Sequence, residues 1–251
     1  MKLSFKGAIF DLDGVITQTA EVHFLAWKST FEHFLTKRNH PNPSFSYNSD
    51  YVPYVDGKPR YEGVDSFLKS RGVNLPFGDL NDIAGTPTIC GVGNGKNEAY
   101  RDIIDTQGAK IYESTLALIM RLQENKIQLG VASSSKNCSF ILEKTSLSPL
   151  FETIVDGNTS RDLGLKGKPE PDIFLKAAEN MELIPHECIL FEDAISGVQA
   201  GKAGKFGLVI GISRTGEKEQ LKINGADVVV DDLETLSLEE IENLYDKELK
   251  L

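Results

Sequence analysis

The sequence predicts an α/β protein: a parallel sheet covered by helices on both faces, with a mainly helical segment inserted after the first strand. Three observations predict it. From about residue 110 onward, short apolar runs alternate with stretches of helical periodicity. Residues 19–109 carry almost no strand signal. The first apolar run, Ala8 to Phe10, ends in two carboxylates, Asp11 and Asp13, separated by one residue.

Each element can be justified in order. Ala8, Ile9 and Phe10 are apolar without alternation, as expected of a strand buried on both faces. "TAEVHFLAWKSTFEHFLTK" repeats its apolar positions at helical spacing. The section "RNHPNPSFSYNSDYVPYVDGKPRYEG" reads as loop, and "VDSFLKSRG" and "NEAYRDIIDTQG" read as further helices. A regular alternation then begins. Helices are expected at 114–125, 138–147, 171–181, 194–204 and 239–249. Strands are expected at 127–135, 152–157, 187–193, 207–213 and 226–232. The expected division is a core of residues 1–18 plus 110–251 and an inserted helical domain of residues 19–109.

Composition narrows the function classes. The 251 residues are 40% hydrophobic and 25% charged, ordinary for a globular protein. An excess of 37 acidic over 27 basic residues and the lack of a basic stripe argue against a nucleic-acid binder. Cys90, Cys138 and Cys188 are scattered and form no CxxC pair, so reduced thiols are expected. "MKLSFKGAIFDLDG" lacks the uninterrupted apolar stretch of a signal peptide, and no run approaches a membrane span. A soluble, cytoplasmic monomer with no membrane partner is the expectation.

In open α/β sheets, ligands bind beyond the carboxyl ends of the strands. Asp11 and Asp13 follow the first strand. Ser133, Ser134, Ser135, Lys136 and Asn137 follow the strand at 127. "GKPEPD", with Lys168, precedes the helix at 171, and Glu192 and Asp193 end the strand at 187. Taken singly, each piece reads as local structure: a D-x-D-G turn, a serine helix cap, a loop lysine, an acidic helix start. All four together, in this order and at strand ends, point to one site.

The quartet "DLDGV", "ASSSK", "GKPEPD" and "FEDAISG" resembles the haloacid dehalogenase (HAD) superfamily over essentially the whole chain. "DLDGVITQTAEVHFLAW", "ASSSKN" and "GKPEPDIF" look closest to its β-phosphoglucomutase-like branch. The resemblance implies a Rossmann-like core with a helical cap that closes to exclude water. It implies Mg²⁺-dependent phosphoryl transfer on a sugar phosphate, the small-molecule partner, through an aspartyl phosphate. In that scheme Asp11 is the nucleophile and Asp13 the general acid and base, while Ser133 and Lys168 hold the transferring oxygens. Asp11, Glu192, Asp193 and the backbone carbonyl of Asp13 would surround the metal, an all-oxygen set that suits Mg²⁺. Thr19 and His23 match positions that help place the general acid. Without the resemblance, His23 reads as a packing residue beside Trp27. Lys96 resembles a cap lysine for the distal phosphate, and Ser134, Ser135, Lys136 and Asn137 resemble a core loop for the substrate's other phosphate. Arg60 is either a cap arginine for the sugar phosphate or an ordinary loop arginine.

Three features depart from the branch. Gln18 stands where an acid is common, "IYES" at 111–114 replaces a "YPG" turn, and the cap loop around 41–63 is longer. A mutase therefore leads, with a sugar-phosphate phosphatase as the alternative. A phospho-aspartate signalling module is a third reading, but the chain is about twice the length such a module needs, and a switch has little use for Asp13.

Overall fold

The computed structural model describes residues 3–55, 58–214 and 216–249; Asp56 and Gly57 of the expected cap loop lie outside them. The chain divides into two compact units, residues 1–18 with 109–251, and residues 19–108.

In the first unit β1 (Gly7–Phe10) is buried throughout. The second unit follows as α1 (Ala20–Lys37), a π-helical turn at Tyr47–Tyr51, α2 (Val52–Tyr54), α3 (Arg60–Ser70) and α4 (Ile89–Gln107). The chain then continues through α5 (Glu113–Glu124), β2 (Gln128–Ala132), α6 (Cys138–Lys144), β3 (Thr153–Val155), α7 (Gly157–Leu163) and α8 (Asp172–Asn180). It ends with β4 (Cys188–Glu192), α9 (Ile195–Ala203), β5 (Leu208–Ile212), α10 (Lys218–Ile223), β6 (Val228–Val230) and α11 (Leu238–Glu248).

Among the described residues the six strands form one sheet in the order β3-β2-β1-β4-β5-β6, and every pairing is parallel. This is the doubly wound, Rossmann-like order. Ile9 aligns with Gly130 on one side and Leu190 on the other, so β1 is central. The order reverses about β1 and β4, which opens a crevice beyond their carboxyl ends. Burial explains the pattern: Ile9, Leu190 and Val155 pack against Ile173, Phe174 and Ala177 of α8 and Val198 of α9. On the alternate positions Phe10 and Phe191 stack with ring centres 4.5 Å apart.

Within the second unit, Trp27, Phe31, Phe45, Val64, Phe67, Leu68 and Val92 form an apolar core. The loop expected at 38–63 is more ordered than the sequence suggested. Phe45 is buried in that core, and Asp50 accepts from Arg71 Nη2 at 2.8 Å and from the Ser46 amide at 2.9 Å. Arg60 opens a helix and does not lie in a loop. α4 starts eight residues before the expected helix and takes in Gly91, Gly93 and Gly95. Glycines lower helix propensity, but here close packing overrides it: a Cβ on Gly93 would stand 2.7 Å from the Tyr61 ring. The helices α7 and α10 were not anticipated. No residue of α7 and only Leu221 of α10 is buried, so neither writes an apolar period into the sequence.

No helix among the described residues is long and apolar enough to cross a membrane. All three cysteines are buried and unbridged.

Candidate active site

The turn after β1 is tightly bonded. The Asp11 amide extends the ladder by donating to the Phe191 carbonyl at 3.0 Å. The Leu12 carbonyl accepts from the Ile16 and Thr17 amides, each at 2.9 Å, and the Gly14 amide donates to the Thr17 carbonyl at 2.8 Å. Gly14 adopts φ +83°, and a Cβ there would lie 1.8 Å from Asp193 Oδ2. Only glycine lets the turn reverse while the Asp193 carboxylate rests against its Cα.

β4 delivers Glu192 fully buried. Its Oε2 accepts from the Ala194 amide at 2.6 Å and its Oε1 from Lys168 Nζ at 2.5 Å. A Cβ on Gly197 would sit 1.9 Å from the Glu192 carboxyl carbon, which explains a glycine in the first turn of α9. Lys168 Nζ also donates to Asp11 Oδ1 at 2.5 Å and lies 4.7 Å from the centre of the Phe174 ring. One ammonium thus bridges the carboxylates that end the two central strands.

The loop beyond β2 wraps on itself. Ser133 is buried, its amide donates to the Val155 carbonyl at 3.0 Å, and its Oγ accepts from the Ser135 amide at 3.1 Å. Ser135 Oγ accepts from the Asn137 amide at 3.2 Å, and Asn137 is buried. Ser134 and Lys136 are exposed. Sequence reasoning missed the residues that hold this loop from outside. Asn158 Nδ2 donates to the Lys136 carbonyl at 2.9 Å, and the Gly157 amide donates to the Ser135 carbonyl at 3.1 Å. Asp156 caps α7 through the Asn158 and Thr159 amides. Burial raises the Asp156 pKa, but these bonds and one from Ser139 outweigh it and hold the carboxyl below its ordinary value. "ETIVDG" does end a strand in an acid, so the strand-end rule was the signal that pointed to Asp156.

The second unit holds a separate basic cluster. Lys96, buried on α4, donates through Nζ to His23 Nδ1 at 2.7 Å, and lies 5.3 Å from the Trp27 ring centre and 4.7 Å from that of Tyr100. Burial, with the charges of Lys96 and Arg60, holds the His23 pKa well below normal, so the ring accepts as neutral imidazole. Arg60 Nη2 donates to Asn97 Oδ1 at 2.9 Å. Thr19 is buried at the N-cap of α1.

Electrostatics in the first unit are short of positive charge. Burial, reinforced by Glu192 and Asp13 and opposed by Lys168, lifts Asp11 to a pKa of about 7. Burial, then Glu192 and Asp11, raises Asp193 well above the carboxylate range. Burial would lower Lys168, but Asp11 and Glu192 overcome it and raise its pKa. Cys138, raised by burial and by Asp13, Asp11 and Asp156, stays a thiol.

These shifts set a pH dependence. Folded Asp11 binds its proton up to about pH 7, whereas the unfolded residue releases it near 3.8. Between those values the folded state holds more protons, so the stability this group contributes is complete below about pH 4 and fades as pH passes 7. Comparing thermal midpoints of metal-free wild type and Asp11→Asn isolates the effect. The wild-type midpoint should fall relative to the variant between pH 4 and 8, and a constant difference would refute the assignment.

Among the described residues no group of three acidic, histidine or cysteine side chains converges in ligand geometry. A site of two carboxylates and one backbone carbonyl needs no such group. The chemistry nonetheless suits a hard divalent cation: the donors are all oxygen, and the like charges of Asp11, Asp13, Glu192 and Asp193 act on one another with one ammonium, Lys168, to oppose them.

A parallel sheet with acids beyond β1 and β4, a lysine bridging them and a serine loop beyond β2 defines a class. Residues 5–205 match the haloacid dehalogenase-like hydrolases, and the chain belongs to that family. It is an enzyme of the family's phosphotransferase or phosphatase type. Within the family its likeness is to the β-phosphoglucomutase branch. It is 40% identical over 238 residues to a β-phosphoglucomutase of Mycobacterium bovis, covering 92% of this chain and 91% of that one. It is 33% identical to one of Bacillus subtilis, covering 93% and 92%. The crystal structure of β-phosphoglucomutase from Clostridium difficile superposes with a TM-score of 0.76 at 28% identity, covering 98% of this chain and all of that one.

Proposed function

We propose that the enzyme is a β-phosphoglucomutase, moving a phosphoryl group between the C1 and C6 oxygens of glucose by way of an aspartyl phosphate on Asp11. The observation that carries this reading is Lys168 bridging Asp11 and Glu192 beside a second acid, Asp13, on the same turn. The ionised Asp11 carboxylate attacks phosphorus as the phosphorus–oxygen bond to the donor sugar breaks. Asp13 gives its proton to the departing sugar oxygen. In the return step Asp13 takes the proton of the acceptor hydroxyl, whose oxygen attacks the phosphorus and releases Asp11. Lys168 and Ser133 bind the phosphoryl oxygens, and the exposed Ser134 and Lys136 suit the substrate's other phosphate.

Asp11, Asp193 and the Asp13 carbonyl would hold Mg²⁺, which supplies the positive charge that lets an anionic carboxylate approach an anionic phosphate. Glu192, expected among the ligands, is assigned to Lys168 instead, because its oxygens are engaged by Nζ and the Ala194 amide. In the second unit Lys96, Arg60 and His23 are assigned to anion recognition.

A product assay tests this reading. β-Glucose 1-phosphate, Mg²⁺ and a trace of the 1,6-bisphosphate should yield glucose 6-phosphate with little free phosphate. Free phosphate as the main product would make the enzyme a phosphatase, with water in place of the acceptor hydroxyl.

A further inference from the structure

One of the sequence departures meets a side chain that no motif contains, and the other is bonded to the segment beside it. Arg214 follows β5, and its Nε donates to the Gly14 carbonyl at 3.0 Å. Its Nη1 donates to Asp232 Oδ2 at 2.7 Å, and its guanidinium carbon lies 3.6 Å from the centre of the Tyr112 ring. Tyr112 is the aromatic of "IYES", the segment that replaces the usual turn. The Tyr112 amide donates to the Ile16 carbonyl at 2.9 Å, and Gln18, the other departure, donates its amide to the Lys110 carbonyl at 2.9 Å. The arginine side chain is 15% exposed.

We infer that Arg214 is a positioning residue for the phosphoryl-transfer chemistry, clamping the Asp11–Gly14 turn through the Gly14 carbonyl; the inference rests on the function proposed above. Within the bonded turn, Arg214 is the side chain that holds the Gly14 carbonyl itself. Thr115 Oγ1 holds the next carbonyl, Val15, at 2.7 Å, and the Asp193 carboxylate presses on the Gly14 Cα from the other side. Gly14 has φ +83° and no side chain; its amide is held by the Thr17 carbonyl, and its own carbonyl, on the following peptide, is the group that Arg214 holds. Arg214 does so as a charged donor, while Asp232 and the Tyr112 ring fix the donor itself. Releasing the Gly14–Val15 peptide would let the Gly14 backbone shift and carry the adjoining Asp13 carbonyl with it, and misplacement by about 1 Å can lower a rate roughly 100-fold. A lysine cannot reproduce the clamp, because the planar fork donates to a carbonyl and a carboxylate while its face lies on the ring.

The test uses Arg214→Ala and Arg214→Lys in the full chain, read by steady-state kinetics with β-glucose 1-phosphate and by calorimetric titration with Mg²⁺ alone. Arg214→Ala should lower kcat about 10- to 100-fold and weaken Mg²⁺ binding roughly 10-fold, the range for removal of an outer orienting group. KM should stay within about threefold, since substrate-binding groups are untouched. Methylguanidinium added to Arg214→Ala should recover part of kcat and leave wild type unchanged, and Arg214→Lys should remain impaired. A kcat and Mg²⁺ affinity within about twofold of wild type, with only a lower melting temperature, would make Arg214 a structural strut and overturn the proposal. Wild type that converts no sugar phosphate would overturn the functional reading alone, because the Mg²⁺ titration still decides Arg214. If Arg214→Ala does not fold, Tyr112→Leu removes the stacking face. It should give a smaller fall in kcat at unchanged KM, and an unchanged kcat would count against the clamp.

Discussion

Asp11→Asn should abolish product formation, lowering kcat by roughly 10⁴-fold or more, as expected when a nucleophile is removed. The amide has nearly the shape of the carboxylate and can still accept the proton that Lys168 Nζ donates to Oδ1 at 2.5 Å. Folding should therefore survive, and the loss would belong to chemistry. Asparagine offers no anionic oxygen to attack phosphorus. The check is direct: after mixing with glucose 1,6-bisphosphate and Mg²⁺, intact-protein mass should show a phosphoryl adduct on wild type and none on Asp11→Asn. Residual turnover above about one part in a hundred would remove Asp11 from the nucleophile's role. Asp13→Asn separates the two acids. It should stop turnover of the sugar, whose oxygen needs a proton, yet still allow slow phosphorylation of Asp11 by acetyl phosphate, whose leaving group does not.

Lys168→Met should have the second-largest effect, and it should act on activity and stability together. Nζ is the cation shared by Asp11 and Glu192, with side chains 8%, 8% and 0% exposed. Removing it should cost about 10³-fold in kcat, the scale for one preorganised donor to a reacting oxygen. It also leaves two buried carboxylates without their partner, and breaking a buried pair destabilises by about 3–5 kcal/mol. The roles can be parted. Lys168→Met combined with Glu192→Gln removes one charge of the broken pair, so it should recover part of the stability and none of the activity. Equal recovery of both would reduce Lys168 to a structural ion pair. Chemical denaturation and the product assay, run on the same preparations, decide it.

Much of the core was legible because strands buried on both faces appear as unbroken apolar runs, and a run that stops in a charge marks a strand end. "AIF" before Asp11 and "CILF" before Glu192 have this form, "LGVA" stops instead in the hydroxyl of Ser133, and the structure places each inside a parallel strand. Gly14 was legible as a turn former, but the reasons for the glycines within helices were not. Gly197 is required by a carboxylate five residues earlier, and Gly93 by the Tyr61 ring on another helix. Such a constraint resides in the partner, so the local sequence around "ICGVGNGK" argued against the helix that forms there. The short helices α7 and α10 escaped for the opposite reason, since they bury almost nothing.

By itself the sequence determined the layer architecture, the order of strand-end acids, hydroxyls and lysine, and through them the family. These are local signals, written by burial and by chemistry at fixed positions along the chain. Only the tertiary structure decided how those groups share charge: that Lys168 spans Asp11 and Glu192, that Glu192 has both oxygens engaged, and that Arg214 reaches back 200 residues to the Gly14 carbonyl. Pairings of this kind depend on which strand ends the doubly wound order brings side by side. That order is set by packing of the whole sheet, and no stretch of sequence near any one partner carries it.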